Sequence, residues 1–357
     1  MIEEATSDRR FIETVVGRSP ELLLSFVIPT YNRAGLLTQL VSALASQQTA
    51  EGVAYEAIFV DNGSTDSTPA LLNQAVRQYP NMLRYIRIAP TGGPSAPRNI
   101  GIRAAAGDAL IIIDDDFIPD PDLVLRYAEF HNQFPDQHHA AVGATYLPDT
   151  LRADPMSVFC EFDYGEIKAP ERVDYLHFWT RNVSLKTEFM LRAGMFDESF
   201  LYYEDVLCGY RMAKAGLQLH FWRAATGQHL QQTTLQGLPI RYRFMGRWMY
   251  KFLEAVEHDP TALIRLNVSP SAPAKHALLQ LNLKRTLFSA LAHPAVAGLL
   301  GKLAAGSRRS PLTDRLYLAI AQENAITGYR EAQRNAAEGR PMDLLQLHSK
   351  LADRGDR

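Results

Sequence analysis

Three consecutive aspartates, Asp114, Asp115 and Asp116, follow the apolar run Leu110-Ile111-Ile112-Ile113. Carboxylates set side by side at the end of an apolar segment repel one another and are costly to desolvate, so something must compensate them. A divalent cation does so economically, and an all-oxygen ligand set suits Mg²⁺ or Mn²⁺. A solvated acidic turn is the plain alternative. A second acidic pair, Glu204-Asp205, opens a stretch in which Val206, Leu207, Tyr210 and Ala213 recur at helical spacing. Acids in a first helical turn complement the macrodipole, which accounts for this pair without any chemistry.

The elements that must position these groups read as strand and helix in alternation. Leu23 to Ile28 is a strand that Pro29 stops, and Asn32 caps a helix with Leu36, Leu37, Leu40, Val41 and Leu44 on one face. Tyr55 to Val60 is a second strand running into the turn Asp61-Asn62-Gly63-Ser64-Thr65-Asp66, and a helix follows to about Gln78. Leu83 to Ile88 is a third strand. After the loop Thr91 to Ser95 comes a helix from Pro97 to Ala106, closed by Gly107, and then the aspartate-tipped strand. Beyond it the pattern predicts a helix to Phe134, a strand from Ala141 to Tyr146, a helix over Lys186 to Ala193 and a strand from Leu217 to Phe221 leading toward His229. Residues 150 to 178 carry no periodic signal.

This alternation argues for an α/β fold with a mainly parallel, doubly wound sheet flanked by helices. In such a sheet the strand ends carrying Thr30-Tyr31-Asn32, Asp61-Asn62 and Asp114 to Asp116 share one edge. Ligands bind at that edge in open α/β sheets.

Composition narrows the class. In 357 residues, 37 Lys and Arg face 39 Asp and Glu, so no general charge drives the chain toward nucleic acid. Cys160 and Cys208 are the only cysteines and form no CxxC pair, which excludes a thiolate zinc cluster and points to a reducing compartment. The acidic start Met1-Ile2-Glu3-Glu4-Ala5 lacks the order of a signal peptide, and no uncharged apolar run reaches membrane-spanning length. The expected location is the cytoplasm, with peripheral contact at the inner membrane face as an open alternative.

Taken together, the segments resemble a nucleotide-sugar glycosyltransferase of family two with the GT-A fold. The matching pieces run in the family's order: Val27-Ile28-Pro29-Thr30-Tyr31-Asn32-Arg33, Val60 to Asp66, Arg98-Asn99-Ile100-Gly101, Asp114-Asp115-Asp116, Gly194-Met195-Phe196-Asp197-Glu198, Glu204-Asp205 and Arg211. The resemblance implies that Asp114 and Asp116, with His229, hold Mn²⁺ or Mg²⁺ against the donor's diphosphate. It places Pro29, Thr30, Tyr31, Arg33, Asp61, Asn62 and Asp115 on the donor. Arg98 is expected to face the phosphates or the acidic cluster, with a structural ion pair to an aspartate as the simpler alternative. Asp205 would be the general base of an inverting transfer, with Glu204 orienting it or meeting the acceptor. The implied donor is a UDP-, dTDP- or GDP-linked sugar, and the acceptor a glycan, lipid-linked or small-molecule hydroxyl in glycan or glycoconjugate biosynthesis. Trp179, Tyr202 and Tyr203 are aromatic platforms for sugar faces or simply core. A silent scaffold that keeps the fold predicts loss of the acidic ligands, and a nucleotidyltransferase predicts a glycine-rich basic loop after the first strand. Neither matches these residues.

The expected division is a lead-in over residues 1–22, a catalytic domain over 23–235 and a helical region over 236–357. In the last region Arg243, Arg247 and Lys251 form a basic stripe beside Phe244, Trp248 and Phe252. Such a helix either docks on the catalytic domain or lies on anionic lipid. Leu278 to Ala305 is an interrupted apolar stretch suited to a monotopic or oligomer contact, and Gly306 to Pro311 reads as a hinge before a last helix over Thr313 to Ala336.

Overall fold

The computed structural model describes residues 21–152, 154–160, 164, 167, 171–231, 234, 237–266 and 311–340. Residues 1–20 of the lead-in, the Leu278 to Ala305 stretch and most of the Gly306 to Pro311 segment lie outside them. Contacts divide the chain into two compact units, Met1–Tyr146 with Phe162–Leu230 and Leu147–Glu161 with Gln231–Arg357.

In the first unit, β1 (Leu22–Thr30) is buried along its whole length, as its continuous apolar run demands of a strand covered on both faces. It lies between β2 (Val53–Asp61) and β4 (Ala109–Ile113), parallel to both, and β3 (Leu83–Arg87) extends the parallel set beyond β2. The helices α1 (Ala34–Ala45), α2 (Thr68–Gln78) and α3 (Ser95–Ala104) make the crossovers. In α1 the buried residues are Leu37, Leu40 and Leu44, the expected apolar face. The rest of the sheet is mixed. β8 (Asn182–Lys186) inserts antiparallel between β4 and β6 (His139–Tyr146), and β9 (Gln218–His229) runs parallel to β6. The short strands β5 (Phe117–Pro119) and β7 (Glu171–Val173) pair antiparallel with β9. Helix α4 (Leu123–Gln133) follows β5, α5 (Thr187–Arg192) follows β8, and α6 (Glu204–Lys214) precedes β9.

Four local expectations are corrected. β1 continues through Pro29 to Thr30. The amide of Asn62 donates to the Thr30 carbonyl, so the polar backbone of Thr30 faces β2 and that of Pro29 faces the other side, where pairing with β4 has ended at Val27. A missing N–H costs nothing there. Asn32 does not cap α1. It adopts a left-handed backbone (φ 52°), and its Oδ1 accepts from the amides of Thr65 and Asp66, while Asp66 accepts from Ala34 at the start of α1. Each loop caps the other. Helix α3 starts at Ser95 and ends at Ala104, because the amides of Ala106 and Gly107 turn away to Glu56 and Ser25. The Leu217 to Phe221 strand is the first half of β9, which continues to His229 past an irregularity opposite Gly143 and Ala144.

Glu56 anchors the opposite edge of the sheet. Its side chain is buried, accepting from Ser25 Oγ at 2.7 Å, Arg84 Nη1 at 3.0 Å and the Ala106 amide at 2.7 Å. Glu56→Ala strands those donors and is expected to cost about 3 kcal/mol, read as a lower midpoint in urea unfolding.

In the second unit, α7 (Gly237–Ala255) packs on α8 (Pro311–Ala337). Phe244, Trp248 and Phe252 are buried, so the aromatic stripe is core. Arg243 and Arg247 both reach Glu331 of α8, and Lys251 sits 4.7 Å from the Trp248 ring centroid. The basic stripe is thus engaged within the unit. Gly246 and Gly328 lie against backbone carbonyls of the facing helix, and a side chain at either would push the helices apart. Among the described residues no helix is long and apolar enough to cross a membrane.

Candidate active site

The carboxyl ends of β1, β2 and β4 meet as expected, with Thr30 opposite Asp61 and Val27 opposite Ile112. The turn after β4 carries the three aspartates and is closed from both sides. Its Asp114 carbonyl accepts from Phe117, and its Asp116 carbonyl accepts from Leu230 beyond β9. Because Phe117 pairs with His229, the imidazole is brought to this edge, with Nε2 3.8 Å from Asp116 Oδ1. That is longer than a hydrogen bond.

The acidic turn is not a solvated one. Asp116 is 5% exposed, and only the Asp114 side chain keeps as much as 34% of its surface open. Two arginines compensate it. Arg98, 3% exposed, donates through Nη2 to Asp114 Oδ1 at 2.6 Å and through Nη1 to Glu204 Oε1 at 2.7 Å. Arg33 donates through Nε to Asp115 Oδ1 at 3.1 Å and lies 3.6 Å from Asp116 Oδ2. Burial disfavours ionisation of Asp114, yet Arg98, with Arg181 and His229, holds its carboxyl below the usual range. Burial, with Asp116 and Asp114 alongside, pushes Asp115 up to about 6 against the pull of Arg33. For both arginines burial opposes the charge and the carboxylates outweigh it.

Arg98 therefore ties the aspartate edge to the first turn of α6, which carries Glu204 and Asp205. Tyr203, just before that turn, is held in the left-handed region (φ 61°), where a bulky residue is strained. Asp205 accepts from the Val206 amide at 2.8 Å. Burial and the adjacent Glu204 push its carboxyl up to about 7, which is where a general base works best near neutral pH. Asn99, the neighbour of Arg98, staples the 194–198 loop by bonding both the carbonyl and the amide of Phe196.

On the other flank, Asp61 is fully buried. Its Oδ1 accepts from the Ser64 amide and its Oδ2 from the Tyr85 hydroxyl. Asn62 binds the Thr91 loop through both ends of its amide. The Tyr31 amide lies 3.4 Å from Asp115 Oδ2, and Pro29 sits within β1. The Thr30 hydroxyl is buried beside Asp115 and helps to hold that carboxyl's proton affinity down.

As a metal site, the donor set is two carboxylates and an imidazole, which suits Mn²⁺ or Mg²⁺. Asp116 and His229 face each other, whereas Asp114 is turned to Arg98. Among the described residues no three such side chains are already gathered as a cage. Arg181 is a site residue the sequence reading missed. Its charge acts on Asp114, a proximity that follows only from the pairing of Asn182 with Ile113.

Residues 25–189 match the family model described as Glycosyl transferase family 2. Validoxylamine A glucosyltransferase from Streptomyces hygroscopicus subsp. jinggangensis (strain 5008) is 31% identical over 236 residues, covering 57% of this chain and 54% of that protein. The chain thus spans about half the length of the curated relatives it matches first. A mannosyltransferase from Pyrobaculum calidifontis, solved with GDP-Man and Mn²⁺, superposes with a TM-score of 0.61 at 16% identity over 86% of each chain. TarS 1-349 from S. aureus gives 0.54 at 17% identity over 90% of this chain and 93% of that one. At such identities the likeness shows a shared fold, the GT-A fold.

Proposed function

We propose, from the match of residues 25–189 to glycosyl transferase family 2, that the chain is an inverting, metal-dependent glycosyltransferase. It would move a sugar from a nucleoside diphosphate to an acceptor hydroxyl. The observation that carries this reading is Asp205, a carboxylate pushed up to about 7 and linked through Glu204 and Arg98 to the aspartate edge.

In the proposed reaction the acceptor hydroxyl attacks the anomeric carbon as Asp205 takes its proton, and the bond from that carbon to the diphosphate oxygen breaks. Attack opposite the leaving group inverts the centre. Glu204, paired with Arg98, keeps the first turn of α6 in place and by its charge keeps the Asp205 proton affinity high. Asp116 and His229, with Asp114, would hold the metal, which neutralises charge growing on the leaving diphosphate. The nucleoside would lie at the carboxyl ends of β1 and β2, beside Thr30, Asn62 and Asp61.

The first relative's name makes a glucosyl donor the first to try. The test is calorimetric titration with UDP, GDP, dTDP and CDP, each with Mn²⁺ and then with EDTA. One nucleotide should bind, and only with metal. Proton NMR of the product with the matching sugar donor should show the anomeric configuration opposite to the donor's. A folded protein that binds none of the four, or a product of retained configuration, would sink the reading.

A further inference from the structure

Three side chains of α3 hold the segment that leads to Asp205. Ser95, Arg98 and Asn99 stand at i, i+3 and i+4 on one helical face, and all three are buried. Ser95 Oγ donates to the Phe200 carbonyl at 3.2 Å. Asn99 Nδ2 donates to the Phe196 carbonyl and to Glu198 Oε1 at 2.9 Å each, and Arg98 donates to Glu204. A helix face buried against its own domain is ordinarily apolar, so three polar groups there need a reason. Each is matched to residues 196–204. That segment includes the left-handed Tyr203, a conformation that persists only where its surroundings over-determine it. The polar face of α3 is the template against which the Glu204-Asp205 turn is set.

The entry to α3 is in turn fixed from β2. Asn62, the residue after that strand, spends its hydrogen-bonding capacity on the loop before α3. Its Oδ1 accepts from the Thr91 amide at 2.8 Å and the Thr91 hydroxyl at 2.9 Å. Its Nδ2 donates to the carbonyls of Thr91 at 3.3 Å and Gly93 at 3.4 Å. A carboxamide has two acceptor sites and two N–H donors, so nothing remains for a nucleoside. At Gly93 the loop presses on Leu201, where a Cβ would lie 2.8 Å from Leu201 Cδ2 and 3.5 Å from its Cα. Asn62 therefore reaches the base-bearing turn through Gly93 on Leu201 and through Ser95 on Phe200.

We propose that Asn62 is a positioning residue for Asp205, acting through the 91–95 loop and α3, and that it is not a nucleoside contact. The role of Asp205 rests on the glycosyl-transfer reading above, whereas the mechanical link stands without it. The test compares the full chain with Asn62→Ala, Ser95→Ala and the double variant. Hydrogen exchange without ligand comes first. Asn62→Ala should speed exchange of the Phe200 and Leu207 amides by about fivefold and leave that of β1 unchanged. Calorimetry with UDP, GDP, dTDP and CDP in Mn²⁺ follows, together with nucleoside diphosphate release from the matching glucose-linked donor, water serving as acceptor. Nucleotide affinity should stay within about twofold of the parent while the release rate falls by about tenfold to a hundredfold, the cost of a base displaced by up to about 1 Å. The double variant should lose no more rate than the more impaired single one, because both substitutions loosen the same link. Gly93→Val, which pushes Leu201 from the loop side, should reproduce the rate loss with affinity retained and keeps the test from hanging on one variant. Unchanged exchange at Phe200 and Leu207, additive losses in the double variant, or weakened nucleotide binding at unchanged kcat overturns the proposal. A parent that binds none of the four nucleotides removes the glycosyl-transfer reading instead, and the exchange result then decides the link by itself.

Discussion

Asp205→Asn is expected to lower kcat by about a thousandfold while nucleotide-sugar affinity stays within about twofold. The amide preserves shape and still accepts from the Val206 amide, so what it removes is the ability to take a proton. The parent enzyme should also show a rate that rises with pH through about 7, where burial and Glu204 place the Asp205 carboxyl. That limb should be absent from the residual activity of the variant. Stability moves the opposite way. A carboxyl whose proton affinity is raised by folding favours the native state below its unfolded pKa, and that contribution is lost as pH climbs through about 7. At pH 8 the parent carries a half-buried negative charge beside Glu204, so Asp205→Asn should melt at a higher temperature there. Steady-state rates and thermal melts at pH 5 and pH 8 check both halves. Undiminished turnover in Asp205→Asn would end its role as base.

Asp116→Asn is expected to weaken metal-dependent nucleotide binding by about a hundredfold or more, since even residues that merely support a metal ligand are worth roughly ten- to a hundredfold. The 5% exposed carboxylate lies between Arg33 and His229, and an amide there neither neutralises a cation nor balances the guanidinium. Affinity measured in EDTA should change little, so the ratio of the two affinities is the quantity to follow. An unchanged ratio would remove Asp116 from the metal site. His229→Ala should act in the same direction with a smaller effect, because an imidazole contributes no negative charge.

Much of this was legible in residue order. The buried runs of β1, β2 and β4 announced themselves as apolar segments, and each ended in polar residues that a parallel sheet must bring together. The acids at 114 to 116 and at 204 and 205 could be read as chemically expectant, since apolar surroundings make carboxylates conspicuous. What could not be read was compensation. Nothing in the spacing of Arg98 shows that one guanidinium serves two carboxylates, 16 and 106 residues away along the chain. Nor could β8 be seen between β4 and β6, because Asn182 to Lys186 is short and its antiparallel pairing depends on a distant partner. Arg181 was missed for that reason. The caps around Asn32 and Asp66 were misread because side chains 34 residues apart exchange the roles that local rules assign within one helix.

The arginine pairing at the aspartate edge also bears on how the protein can be handled. Arg33 and Arg98 supply positive charge in place, so the folded state is expected not to need a bound cation to quench repulsion among Asp114, Asp115 and Asp116. A sample stripped with chelator should therefore melt at the temperature of an untreated one, and Mn²⁺ added back should restore nucleotide binding within the mixing time. On the proposed metal-dependent reading, protein purified in EDTA throughout should be folded and gain activity on a single addition of Mn²⁺.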